Sequence, residues 1–73
     1  MEMIEVESSM IYSIGYDGET STMMIVFRNG QTYEFHLIPH RVYVDFLASE
    51  SKGKFFMDHL KFSQYGRRVT KLG

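Results

Sequence analysis

Seventy-three residues, 44% of them hydrophobic and 15% aromatic, with a formal net charge of −1, describe one small domain near the lower edge of what a single apolar core can hold together. The absence of cysteine excludes disulfides and thiolate metal sites, so dense packing or a homodimer must supply stability. No run approaches the roughly 20 apolar residues of a membrane span, and the opening Met1-Glu2-Met3-Ile4-Glu5-Val6-Glu7 lacks the basic stretch and apolar centre of a signal peptide; the expectation is a soluble cytoplasmic protein.

Along the chain, Ser8-Ser9 reads as a strand-opening or capping pair. Met10, Tyr12, Ile14 and Tyr16 then alternate with Ile11, Ser13 and Gly15 up to the turn signal Asp17-Gly18, which predicts a first strand. Two further β-branched and aromatic runs, Thr22 to Arg28 and Thr32 to Leu37, flank Asn29-Gly30. Both turn residues tolerate positive φ, so a two-residue type I′ hairpin is expected. That turn would set Phe27 opposite Thr32, Val26 opposite Tyr33, Ile25 opposite Glu34 and Met24 opposite Phe35. Met24, Val26, Tyr33 and Phe35 would then face the core, and Met23, Ile25 and Phe27 the other side with Thr32, Glu34 and His36. A middle strand apolar on both faces needs a second layer, a curled sheet, a second subunit or a ligand over its far side.

The single proline, Pro39, suits the first turn of a helix. Val42, Tyr43, Phe46 and Leu47 recur at helical spacing, with Arg41, Asp45 and Ser49 on the opposite side. Ser51 is placed to cap a second, short helix whose apolar ridge is Phe55, Phe56, His59 and Leu60. Gly66 interrupts the chain, and Arg67 to Leu72 reads as a basic tail or a last strand. The expected fold is α+β: one domain over residues 1–73, with a three-stranded antiparallel β-meander followed by two short helices.

Charge is segregated along this order. Residues 1–36 hold one base, Arg28, against six acids, a net −5, and residues 37–73 hold seven bases against three acids, a net +4. Such a split points to a partner for the basic part, nucleic acid first. Lys52 and Lys54 fall in the first turn of the second helix, where the dipole disfavours cations unless an anion is bound. Lys61, Arg67 and Arg68 extend that cradle. Tyr16, Tyr43, Phe55 and Tyr65 are candidates for stacking on bases, set against the ordinary role of aromatics as core.

Catalytic and metal readings find little. His36 and His40 are split by Pro39 and share no helix face, and Asp58 and His59 are sequence neighbours that point apart. No serine stands in a nucleophile elbow, and no glycine-rich phosphate loop occurs. No enzyme activity, metal or cofactor is expected.

Four blocks in order resemble the KTSC domain, a module named for its occurrence at the C-terminus of certain lysyl-tRNA synthetases. They are Ser8 to Asp17; the strand ending at Phe27 with Asn29-Gly30, Tyr33 and Phe35; Ile38-Pro39 with Val42-Tyr43 and Leu47; and Ser51, Gly53, Phe55-Phe56, Leu60-Lys61 and Tyr65. The resemblance covers roughly Val6 to Val69. Where it leads one to expect tyrosine, phenylalanine and asparagine, this chain has Phe55-Phe56-Met57 and so lacks a hydroxyl and an amide. It implies RNA or tRNA handling by association with the synthetase, in a family that also includes stand-alone bacterial and phage proteins, and it implies no catalytic residue.

The function expected is a small non-enzymatic binding module that contacts RNA or another nucleic acid through a basic C-terminal face, with Lys52, Lys54, Lys61, Arg67 and Arg68 supplying charge and Tyr43 or Tyr65 stacking. The rival is a protein-interaction module, a homodimer or small phage-type inhibitor, using the acidic N-terminal half or the apolar sheet face.

Overall fold

In the computed structural model, which describes residues 1–61 and the backbone of residues 66–71, the strands are β1 (Met3–Glu5), β2 (Ile11–Asp17), β3 (Thr22–Phe27), β4 (Gln31–His36) and β5 (Gly66–Lys71). Helix α1 (His40–Ala48) and helix α2 (Lys52–Phe55) lie between β4 and β5, and α2 runs on into a five-residue π-helical turn, Phe56–Leu60. The strands pair antiparallel in the order β1-β2-β3-β4-β5. The α+β class is as expected, but four strands precede the helices rather than three. The extra strand comes from the alternating apolar and acidic amino terminus, where Ile4 pairs with Ile14. The carboxy-terminal segment is a strand on β4.

The hairpin register differs from expectation by one residue. Met23 faces Phe35, Ile25 faces Tyr33 and Val26 faces Thr32. The cause is the turn. Only Gly30 takes a positive φ, 88°, and its N–H donates to the Phe27 carbonyl at 3.0 Å. The loop is therefore three residues long, a tight turn over Arg28 and Asn29 followed by a left-handed glycine. The Asn29 side-chain carbonyl accepts from the Gln31 N–H and pins the same turn. Because side chains alternate, one residue of slip exchanges the faces of β3 against β4. Met23, Ile25 and Phe27 are the buried set, while Met24 and Val26, expected in the core, lie half-buried on the opposite face.

Strand β2 carries a second irregularity. Its pairing with β3 shifts between Ile11 and Ser13, a bulge at Tyr12. Ile11 and Ile14 thereby both reach the core, and Tyr12 is left outside at 44% exposure.

The helices cover the Met23, Ile25 and Phe27 face. Phe46 from α1, with Phe56 and Leu60 from the π-turn, closes the core over Ile11, Ile14, Phe35 and Ile38. Each such burial contributes about 1.5–3 kcal/mol. The far side expected to need a cover is thus met inside the domain. Pro39 is the N-cap of α1, with no side-chain cap bond. Ser51 caps α2 as expected, its hydroxyl accepting from the Lys54 N–H at 3.2 Å. His59, expected on the apolar ridge, is exposed against the Phe55 ring, which itself stacks on Phe46. No helix among the described residues is long and apolar enough to cross a membrane.

Candidate nucleic-acid interface

The strand order answers how the two charged halves sit. Glu5 belongs to β1 at one edge of the sheet, whereas Arg67, Arg68 and Lys71 belong to β5 at the other. Four inter-strand steps of about 4.8 Å separate these edges by roughly 19 Å. The screening length at physiological salt is about 8 Å. Glu5 of β1 is therefore screened from β5, whereas Glu34 of the same acidic half lies on the adjacent strand β4. In register, Lys71 stands opposite Gln31, Arg68 opposite Glu34 and Arg67 opposite Phe35. Tyr65 lies outside the described residues.

The lysines of α2 have intramolecular partners. Lys52 donates to the Ser49 carbonyl at 2.5 Å, at the C-terminal end of α1, where the dipole favours a cation. Lys54 pairs with Asp58 at 3.1 Å, one turn along the helix. That pair is exposed and adds only a few tenths of a kcal/mol. Tyr43 stands elsewhere. Its ring stacks on Tyr16 at 4.9 Å with His40 alongside, and burial, then the Glu2 carboxylate, raises its hydroxyl pKa. The structure places Tyr43 with the acidic amino terminus and not with the lysines.

Lys61 is different. The π-turn closes with the Lys61 N–H donating to the Phe56 carbonyl at 2.8 Å, which carries Lys61 to the wall of an open cleft of about 500 Å³. The cleft lies between the β3–β4 hairpin tip and the π-turn. Phe27, Tyr33 and Phe56 form its floor, with edge-on ring centroids 4.8, 4.9 and 5.7 Å apart. The hairpin tip contributes Arg28, Asn29 and Gln31, and Met10 and Met57 also line the cleft. Among the described residues, two cations and no carboxylate line this cleft.

Arg28 is held in place. Its Nε donates to the Ser8 carbonyl at 2.6 Å, and its guanidinium lies 5.6 Å from the centre of the Tyr12 ring. It makes no ion pair among the described residues. The opening serine pair is thus partly a fastener, since the Ser8 hydroxyl also accepts from the Met10 and Ile11 N–H groups.

Reasoning from sequence reached Lys61 and passed over Arg28, Asn29, Gln31 and Met57. A signal existed: Arg28 is the one base in the acidic half, and it sits at the hairpin tip. No cluster of three or more histidines and carboxylates that could hold a metal occurs among the described residues.

The chain belongs to the KTSC domain family, which matches residues 7–65. A KTSC domain protein from Yersinia pestis, known from its crystal structure, is 36% identical, with a TM-score of 0.84 over 99% of this chain and 97% of that one. A protein of Tsukamurella paurometabola is 42% identical over 53 residues, 73% of this chain and 79% of its own. A protein of Stutzerimonas stutzeri is 29% identical over 65 residues, 89% of this chain and 92% of its own.

Proposed function

We propose that this KTSC domain is a non-enzymatic nucleic-acid-binding module that meets phosphates along its basic carboxy-terminal edge, with RNA as its ligand. The observation that supports the reading is the placement of β1 and β5 at opposite edges of the sheet, which sets the acidic amino-terminal strand apart from the basic carboxy-terminal one, with Glu34 on β4 the acid that stands opposite Arg68. Lys61 and Arg28 on the neighbouring cleft extend the same positive field. Lys52 and Lys54, bonded to the Ser49 carbonyl and to Asp58, are not among the described residues lining that cleft and contribute charge at longer range. If the synthetase association that gives the KTSC family its name extends to this chain, transfer RNA is the first natural ligand to try.

Binding of labelled single-stranded RNA, duplex RNA and DNA at about 50 and 200 mM salt tests this. Neutralised phosphates release counterions, so affinity should fall steeply across that range. Reversal of Lys61, Arg67 and Arg68 to glutamate should abolish it. Affinity indifferent to salt, or no binding at the lower salt, removes the reading and turns attention to a protein partner for the acidic edge.

A further inference from the structure

We propose that the cleft between the hairpin tip and the π-turn seats one unpaired nucleotide, its base against the aromatic floor and its phosphate between Arg28 and Lys61. This rests on the nucleic-acid reading and names the part of the ligand that reaches inside the domain. The volume, about 500 Å³, is in the range of small-ligand sites. The floor is apolar and aromatic, which suits a flat heterocycle of any sequence. A duplex cannot present such a face, because its bases are stacked and paired.

The polar groups at the rim fit a base carrying a phosphate better than they fit an aliphatic anion. The Asn29 side-chain oxygen is engaged by the Gln31 N–H, which leaves the Asn29 NH2 as a donor. The Gln31 side chain adds an amide with both a donor and an acceptor beside it. With two cations and no carboxylate among the described residues of the lining, the cleft favours an anion and repels cationic peptides. Met57, at 42% exposure, and Met10, at 38%, can adjust over a ring system, because unbranched thioethers fit irregular aromatic surfaces.

The six methionines make the test internal to the molecule. Methyl NMR of the full chain is followed during titration with adenosine 5′-monophosphate and, separately, with ribose 5-phosphate. The expected result is movement of the Met10 and Met57 methyls with the nucleotide, at an affinity at least tenfold above that of the sugar phosphate, while Met3 and Met23 stay fixed. Met57→Glu, an exposed change that adds a carboxylate to the cleft, should weaken the nucleotide at least tenfold as read at Met10. Equal affinity for the two ligands, or stationary Met10 and Met57 signals, overturns the cleft assignment even if polynucleotides bind the basic edge with steep salt dependence. Nucleotide binding at Met10 and Met57 without any polynucleotide binding supports the cleft and sinks the edge.

Discussion

The hydroxyl of Tyr16 donates to the carbonyl of Ile38 across 2.6 Å, tying the end of β2 to the joint between β4 and α1. The Ile38 N–H donates in turn to the Ser21 carbonyl at 2.9 Å, so both backbone groups of a fully buried isoleucine are satisfied by the β2–β3 hairpin. Tyr16→Phe keeps the ring stack on Tyr43 and removes only the bond. The expected loss is about 1 kcal/mol, a drop in Tm of roughly 4–8 °C for a domain of this length, read by thermal unfolding.

Leu37 precedes that joint with φ 62° and 76% exposure. A branched side chain in the left-handed region costs about 1–2 kcal/mol, and solvent returns little of it. Leu37→Asn keeps the backbone and suits that region better. Chemical denaturation should show the variant more stable than the parent by up to about 1 kcal/mol, with an unchanged denaturant slope.

Two glycines should respond with opposite signs. Gly30 needs its φ of 88°, so Gly30→Ala should destabilise by about 1–2 kcal/mol. Gly53 sits in α2 without a positive φ, and an added methyl there would meet Met10 at 3.6 Å, an ordinary contact. Gly53→Ala should stabilise by about 0.5–1 kcal/mol. Parallel urea titrations of the two variants check the pair.

Much of this architecture can be read from residue order, and the failures have specific causes. Ser51, Pro39 and the spacing of Val42, Phe46 and Leu47 mark the helices because capping and periodicity are local. Asn29-Gly30 marks a hairpin but not its loop length, since both the two-residue and three-residue turns accept that pair. The face of β3 followed from that undetermined residue. The bulge at Tyr12 and the π-turn at Phe56–Leu60 are insertions into regular patterns, and nothing in single-residue propensity announces them. Of the site, Lys61 is visible as charge, whereas Arg28 is masked by six acids around it in sequence and emerges only when the hairpin tip meets the π-turn. Tyr43 carries the right chemistry for stacking, yet the sequence could not foresee that Tyr16 and Glu2 would surround it.

The bulge also sets an acid–base property. The Tyr12 hydroxyl pKa is raised above the ordinary tyrosine value, first by its hydrogen bond to the Glu5 carboxylate, then by the charge of Glu5 and by desolvation of the phenol itself, with Arg28 opposing. A raised pKa means the neutral phenol is the favoured form in the folded state. That preference is complete below the ordinary tyrosine value of about 10 and is lost as pH rises through the higher folded value. In a carbon NMR titration, the midpoint of Tyr12 should lie above the ordinary tyrosine value, and Glu5→Gln should bring it back down.

The thioethers of Met10 and Met57 on the cleft lining have a chemical consequence of their own. Both sulfur atoms belong to exposed residues, whereas Met23 is sealed in the core at 0% exposure. Mild peroxide should therefore convert Met57 and Met10 to sulfoxides well before Met23, as peptide mass mapping would show. Each sulfoxide replaces an apolar wall with a polar, chiral one, so the cleft would change character while the fold stayed intact. A reductase could reverse that change. The positions that equip this domain to grip a flat ring are the same ones through which an oxidising environment would register on it.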